Sequence, residues 1–152
     1  MFEELLQIYR NRASFDYDHS SPYKTVCNAP SSASGIYLIY GVHDSMESLL
    51  YIGSSGQRDK AGQLKTRIGG MKDRLINGYH PHRFSAPTRI KRYLAFPAQM
   101  RIEKIPLLRI YWWVTYDNIS QDFPTDIELK LHSFYVKQHN KLPAWHIERL
   151  KP

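Results

Sequence analysis

The chain has a single cysteine, Cys27, and no uninterrupted apolar run approaching the roughly 18 residues of a membrane-spanning helix. One thiol excludes an intrachain disulfide and leaves a thiolate-based zinc site without ligands. The first residues, Met1-Phe2-Glu3-Glu4, are acidic, whereas a secretory signal begins with positive charge. These absences predict a cytoplasmic protein without a membrane span.

Acidic side chains are also few relative to basic ones. The 152 residues include 21 Lys and Arg against 14 Asp and Glu, which gives a net charge of +7 and a pI near 9.5. Such an excess favours a polyanionic partner, either nucleic acid or an acidic membrane surface. The length suits one compact domain and leaves little room for a second.

The first 34 residues are predicted to form a helix and an arm. Apolar side chains recur at helical spacing in residues 2–12, which is typical of a short amphipathic helix. Residues 13–34 are rich in Ser, Pro, Asn and Asp, so we expect a long loop there.

Three later segments are predicted to be strands. Residues 35–40 and 49–54 are rich in Tyr, Ile and Leu, and the polar stretch between them suits a hairpin. Residues 107–116 form an almost unbroken apolar and aromatic run, the pattern of a central strand. Tyr37 and Tyr51 would then lie on neighbouring antiparallel strands.

Three helices are predicted around these strands. Residues 61–77 carry an apolar stripe, in which Gly69-Gly70 either interrupts the helix or permits a close backbone approach. Pro87 suits the start of a helix through Arg89 to Leu94. The last helix is predicted from Thr125, where Thr125-Asp126-Ile127-Glu128 matches a capping box, and ends before Pro143.

Two tripeptides, Gly35-Ile36-Tyr37 and Tyr51-Ile52-Gly53, are separated by residues 38–50. With the order of strands and helices that follows them, they resemble the GIY-YIG nuclease family. The resemblance implies an α+β fold: a small, mainly antiparallel three-stranded sheet flanked by helices within residues 35–152, preceded by the helix and arm of residues 1–34. It also implies five catalytic positions, namely Tyr37, Tyr51, Arg67, Glu128 and Asn140.

The implied chemistry is hydrolysis of a phosphodiester. Glu128 would be the ligand of one Mg²⁺ or Mn²⁺ ion per site, Arg67 would contact the scissile phosphate, and Tyr37 would orient or activate the attacking water. Tyr51 would hold phosphate or water, and Asn140 would fix the hydrogen bonds of the glutamate helix. Two of these residues also have simpler interpretations, Glu128 as the third residue of a capping box and Asn140 as a helix C-terminal cap.

Three departures from the family pattern leave alternatives open. The spacer between the tripeptides is long, and an apparent insertion at residues 56–63 makes Arg58 a rival for the arginine role. Met71 stands where many members have His or Tyr, which leaves His80 and His82 as candidates for that role. His132, His139 and His146 recur at intervals of seven, but Pro143 interrupts the helix before the third, which argues against a zinc site.

The favoured function is a metal-dependent DNA endonuclease of restriction type, a homodimer where its site is two-fold, with no membrane partner and with RNA not excluded. A structure-selective repair or recombination nuclease and a non-catalytic nucleic-acid-binding module are the alternatives. The predicted nucleic-acid contacts are basic side chains and histidines of the middle region: Lys65, Arg74, His80, His82, Arg83, Arg89, Lys91 and Arg92.

Overall fold

The computed structural model of the chain describes residues 2–80 and 89–146. Its centre is a four-stranded antiparallel sheet with the strand order β1-β6-β2-β3. These strands are β1 (Arg12–Tyr17), β2 (Ser34–His43), β3 (Met46–Ser55) and β6 (Leu107–Tyr116). A separate two-stranded ribbon pairs β4 (Gln57–Arg58) with β5 (Leu64–Lys65).

Helices lie on both faces of the sheet. In the described ranges these are α1 (Phe2–Leu6), α2 (Tyr23–Val26), α3 (Gly70–Asn77), α4 (Arg92–Glu103) and α5 (Pro124–His139). One apolar cluster buries α3 and α4 against one face, through residues such as Met71, Leu75 and Phe96. A second cluster buries α1 and α5 against the other face, through residues such as Leu6, Ile127 and Leu131. The expected α+β class is therefore confirmed, and none of the helices in the described ranges is long and apolar enough to cross a membrane.

The sheet has one strand more than predicted. Strand β1 begins at Arg12, runs into the segment expected to be a loop and pairs with β6, while the short helix α2 also falls in that segment. Phe15 and Tyr17 point into the core between exposed neighbours, which is the alternation of a half-buried strand. The first helix is also shorter than predicted, since α1 ends at Leu6 and Tyr9 is buried outside it.

The predicted helix over residues 61–77 was wrong in its first half. Helix α3 begins only at Gly70, after Gly69 and Gly70 adopt φ values of 85° and 61°. These left-handed conformations end the possibility of a continuous helix. A Cβ at Gly70 would also lie 2.5 Å from the carbonyl carbon of Ser31, so the glycine pair both interrupts the helix and permits a close approach.

The later helices also differ from expectation at their starts. Helix α4 begins at Arg92 and runs to Glu103, well beyond the predicted Leu94, while Pro87 lies outside the described residues. Helix α5 begins with Pro124 at its first position and Phe123 as N-cap, and no side chain caps it. The predicted capping box is therefore wrong, and the Glu128 side chain is not engaged in capping the helix.

Candidate active site

The two motif tyrosines lie on the same face of the β2–β3 hairpin. Tyr37 is paired with Gly53 across the strands, and Ile39 with Tyr51, so the two tyrosines are diagonal neighbours. Their rings are stacked with centroids 6.3 Å apart and an interplanar angle of 17°. A Cβ at Gly53 would lie 2.5 Å from Cζ of Tyr37, which explains why the second tripeptide ends in glycine.

Tyr37 is fully enclosed, with 0% of its surface exposed. Nη1 of Arg92, at the start of α4, donates a hydrogen bond of 2.5 Å to the Tyr37 hydroxyl. The Arg92 guanidinium carbon lies 5.2 Å from the centre of the Tyr37 ring and 5.3 Å from that of Tyr51. Arg92 therefore joins both tyrosines from inside the protein.

Among the described residues, Arg92 is a buried cation without an anionic partner. It is 1% exposed, its Nε atom has no hydrogen-bond partner within the described protein, and no described carboxylate forms an ion pair with it. An unpaired charge in a protein interior costs several kcal/mol, of which cation–π contacts return about 2 kcal/mol. The prediction that Arg92 belongs to a solvated nucleic-acid-binding surface is therefore wrong, because packing against Phe96 and the tyrosines encloses it.

Tyr51 lies between the buried pair Tyr37 and Arg92 and the protein surface. Burial, followed by the neighbouring Tyr37 and the Glu128 charge, raises the pKa of Tyr51 to about 12, with Arg92 and Arg74 acting in the opposite direction. At neutral pH the Tyr51 hydroxyl therefore keeps its proton and acts as a hydrogen-bond donor.

Glu128 approaches the end of β3 from α5 on the other face of the sheet. Its carboxylate accepts a hydrogen bond from the Ser54 hydroxyl and lies 3.7 Å from Nε2 of His132, one helical turn later. Burial alone would raise the pKa of Glu128, but the adjacent His132 imidazole, the Ser54 hydroxyl and the nearby His146 outweigh it and lower the pKa. Glu128 is thus a half-buried, ionised carboxylate beside the motif strand.

His146 completes this cluster from the end of the described chain. Its ring is parallel to that of Tyr51, with centroids 4.2 Å apart and an angle of 6°, and meets the His132 ring edge-on at 4.6 Å. The Ile52 backbone N–H donates to its Nε2 atom at 3.0 Å. Burial and the neighbouring His132 lower the pKa of His146 to about 4, so its ring is neutral.

Neither arginine expected to contact phosphate is free of an acidic partner. Arg67 precedes α3 rather than lying on it, and its Nε forms a 2.8 Å ion pair with Asp73. Arg58 pairs with Asp126 at 2.9 Å and lies over the Phe123 ring. The one arginine carried by α3 is Arg74, which forms no ion pair among the described residues and has a buried Nε without a hydrogen-bond partner.

A cleft of about 640 Å³ lies beside these groups. Its lining includes hydroxyl groups of β3 and α5, basic side chains from β5, α3 and the segment between them, and one carboxylate: Ser54, Thr125, Lys65, Arg67, Arg74 and Asp73. Three basic side chains against one acidic side chain leave an excess of positive charge. Because Ser54 also bonds Glu128, the cleft is continuous with the carboxylate cluster. Its basic lining suits a phosphate-bearing ligand.

Asn140 and Met71 lie away from this cluster. Asn140 is the exposed C-cap of α5 with φ 57°, as its simpler interpretation predicted. Twelve residues of helix separate it from Glu128, which corresponds to about 18 Å along the axis. Met71 is 0% exposed in the core, so it offers no group to a substrate.

The residues predicted to contact nucleic acid differ in their exposure to solvent. Lys65, Arg89 and Lys91 are exposed and Arg74 is half-buried. His80 is 7% exposed and packs edge-on against Phe96 and Trp145, so its prediction as a surface contact is wrong. His82 and Arg83 lie outside the described residues.

The residues present fit one hard cation. Among residues 2–80 and 89–146 there is no cluster of three or more His, Cys, Asp or Glu side chains able to hold a metal. Mg²⁺ does not need one, because it is commonly held by one or two carboxylates together with waters and substrate phosphates. Glu128, ionised and beside a basic cleft, is the donor that such an ion would use.

Sequence reasoning missed Arg92, His132 and His146 as members of this cluster. Glu128 and His132 share a helix face at a spacing of four, a signal that was visible in the sequence. The position of Arg92 beneath two strands and that of His146 beside Tyr51 have no local signal, because both depend on tertiary packing.

Searches of protein-family models, of curated proteins and of solved structures found no match to this chain.

Proposed function

We propose that the protein is a divalent-metal-dependent DNA endonuclease of the GIY-YIG type, and that it hydrolyses phosphodiester bonds at the outer end of β3. The observation that carries this proposal is that Tyr51, stacked on Tyr37 at one face of the sheet, lies near the Glu128 charge, which α5 brings to β3 from the opposite face. A polar cluster of this kind beside a basic cleft is the arrangement that phosphodiester hydrolysis needs.

The arginine that contacts the scissile phosphate is Arg74 in this proposal, in place of Arg67 or Arg58. Arg67 and Arg58 are already neutralised by Asp73 and Asp126, whereas Arg74 has an unused Nε donor and lines the cleft. A guanidinium fork matches the geometry of a phosphate group. Arg74 would therefore contact the scissile phosphate, with Lys65 nearer the surface holding an adjoining phosphate.

The two tyrosines take different tasks. Tyr51 is half-buried and keeps its proton at neutral pH, so it would donate a hydrogen bond to a phosphate or water oxygen. Tyr37 is enclosed, and its hydroxyl accepts from Arg92. We therefore assign Tyr37 and Arg92 to the support of Tyr51 and to a fixed positive charge beneath the reacting group.

Glu128 would hold Mg²⁺ or Mn²⁺, with Ser54 and His132 orienting the carboxylate. When bound, such an ion supplies Lewis acidity at the phosphate and charge neutralisation in the transition state. Hydrolysis adds the elements of water across one P–O bond, so the products are one phosphate terminus and one hydroxyl terminus.

The substrate expected here is duplex DNA with a specific site, as in restriction enzymes, acted on by a homodimer if the site is two-fold. Incubation of purified protein with supercoiled plasmid and with branched DNA, each with Mg²⁺ or EDTA, tests this. Discrete plasmid fragments that require Mg²⁺ would support the restriction-type activity. Cleavage of branched DNA alone would instead indicate a repair or recombination nuclease.

One observation favours the non-catalytic alternative. Tyr37 and Met71 are both fully buried, so two family positions present nothing to a substrate in this conformation. DNA binding without Mg²⁺-dependent cleavage of any of these substrates, or of a matched RNA, would establish a binding module and overturn the enzymatic proposal.

A further inference from the structure

The outer edge of β3 is covered by the segment 143–146, which we call the C-terminal strap. β3 is an edge strand, so its outward-pointing backbone groups need partners other than a fifth strand. The Trp145 N–H donates to the Leu50 carbonyl at 2.9 Å, and the Ile52 N–H donates to Nε2 of His146 at 3.0 Å. A side chain therefore takes the place of a neighbouring strand beside the second motif tripeptide.

Trp145 fixes the position of the strap. Its side chain is 1% exposed and packs against His80 and Phe96 at ring distances of 5.2 and 5.4 Å. Its indole N–H also donates to a carboxylate oxygen of Glu103 at 2.8 Å. His146 is consequently held next to a residue that is itself fixed by packing and hydrogen bonds.

The His146 ring has a defined tautomer. Because Nε2 accepts a hydrogen bond from a backbone N–H, it carries no proton, and the neutral ring carries its hydrogen on Nδ1. This ring covers the outer face of Tyr51, whose inner face lies towards Tyr37. Tyr51 is thus enclosed between two rings, and only one of them comes from the motif strands.

His146 also touches the carboxylate side of the site. Its ring meets that of His132 edge-on at 4.6 Å, and His132 lies beside Glu128. The strap therefore connects the tyrosine of one sheet face with the carboxylate helix of the other.

We propose that His146 is a positioning residue for Tyr51, supplied by the C-terminal strap to hold the tyrosine ring and to place its hydroxyl beside Glu128. This role rests on the proposed nuclease function. It assigns to the end of the described chain a part of the site that the motif strands and α5 do not provide.

The test compares His146→Ala and His146→Phe with His43→Ala, an exposed histidine at the hairpin as matched control. Single-turnover cleavage of supercoiled plasmid with Mg²⁺ gives a maximal rate and a half-saturating protein concentration for each. Because a small displacement of a reacting group lowers rates strongly, we expect His146→Ala to lower the maximal rate about tenfold to a hundredfold. The half-saturating concentration should change less than about twofold, since His146 does not bind the substrate.

His146→Phe keeps a ring against Tyr51 but removes the acceptor for Ile52. We expect it to restore much of the rate lost in His146→Ala, while the Ile52 amide exchanges with solvent faster than in the wild type in both variants. Thermal unfolding measured in parallel shows whether each variant remains folded at the assay temperature.

Full activity of a folded His146→Ala variant would overturn the positioning role and leave the nuclease proposal intact. An equal loss in both histidine variants would also overturn it, because stacking would then make no contribution. A wild-type protein that cuts no DNA although its Ile52 amide is protected would overturn the nuclease proposal itself, and the positioning role with it.

Discussion

Nη1 of Arg92 lies 2.5 Å from the hydroxyl oxygen of Tyr37, in a part of the core where neither residue has more than 1% of its surface exposed. The desolvation cost of a buried guanidinium exceeds the stabilisation from one hydrogen bond to a phenol. Replacing a buried ion by an apolar side chain is accordingly often neutral or stabilising. The presence of an arginine at this position is explained if its positive charge acts on the reaction beside the neighbouring tyrosines.

Arg92→Met should therefore separate stability from activity. We expect the free energy of unfolding to stay within about 1 kcal/mol of the wild type, because the cost of an unsatisfied Tyr37 hydroxyl is offset by removal of the buried charge. The rate of DNA cleavage should fall about a hundredfold, which is the usual loss when one charge-stabilising group is removed from a reacting centre. Urea unfolding and plasmid cleavage measure the two effects, and a parallel loss of both would mean that Arg92 is structural.

Arg74 and Arg67 should differ sharply when each is replaced by glutamine. Arg74→Gln removes a guanidinium that lines the cleft and forms no ion pair within residues 2–80 and 89–146, so we expect cleavage to fall at least a hundredfold. Arg67→Gln only breaks an ion pair with Asp73 whose side chains are 35% and 31% exposed, which is worth less than about 1 kcal/mol. Cleavage rates that rank the two variants in the opposite order would return the phosphate contact to Arg67.

Gly53→Ala should destabilise the protein strongly, since the new methyl carbon would lie 2.5 Å from Cζ and Oη of Tyr37. Overpacking of this kind typically costs about 1–3 kcal/mol, and here the Tyr37 ring is confined by Tyr51 and Arg92. Gly41→Ala is the matched control on β2, because its nearest contact would be Cδ1 of Leu50 at 3.2 Å. Denaturant midpoints of the two variants that agree within error would show that Tyr37 is not fixed over Gly53.

Acid should weaken the docking of the strap. Because the pKa of His146 is lowered from 6.5 to about 4 on folding, the unfolded chain binds more protons than the folded one between these values. The contribution of His146 to stability is therefore complete above about pH 6.5 and is lost as the pH falls towards 4. After allowance for the part of the ring that meets water, we expect a difference on the order of 1–2 kcal/mol.

His146→Phe provides the reference for this pH effect. Its free energy of unfolding should depend less on pH between 4 and 6.5 than that of the wild type, as measured by urea unfolding across this range. Identical slopes for the two proteins would show that His146 is not held neutral by its surroundings.

The central strands were predictable because their signals are local. Residues 35–40, 49–54 and 107–116 have the Tyr, Ile and Leu composition of strands, and each segment lies in a strand of the sheet. Strand β1 was missed because Ser, Pro and Asn dominate its surroundings, although Phe15 and Tyr17 alternate with exposed residues. Its pairing with β6 connects distant parts of the chain and cannot be deduced from composition.

Within the candidate site, the sequence located residues whose spacing is fixed by a hairpin or a helix. Tyr37 and Tyr51 came together as predicted because the hairpin register places them diagonally. Arg67 was misplaced on a helix because its apolar neighbours at positions 64 and 68 matched a helical stripe, whereas Gly69 and Gly70 delayed the helix and left Ile68 95% exposed. Arg92 lies in a basic stretch that resembles a surface, and only the packing of α4 against the sheet shows that it is interior.

Glu128→Gln tests the proposed chemistry most directly, because it removes the charge of the carboxylate proposed to hold the metal ion while it keeps the shape of the side chain. The measurement is single-turnover cleavage of plasmid DNA over a range of Mg²⁺ concentrations, with DNA binding followed by fluorescence anisotropy in Ca²⁺. Glu47→Gln is the control, because Glu47 lies at the opposite end of β3 from Ser54, where its carboxylate accepts hydrogen bonds from Arg109 and Tyr111. We predict Mg²⁺-dependent cleavage by the wild type and by Glu47→Gln, and a loss of at least about a thousandfold in Glu128→Gln with DNA binding retained. Cleavage by Glu128→Gln at the wild-type rate, or DNA binding by the wild type without cleavage at any Mg²⁺ concentration, would contradict the proposed nuclease site.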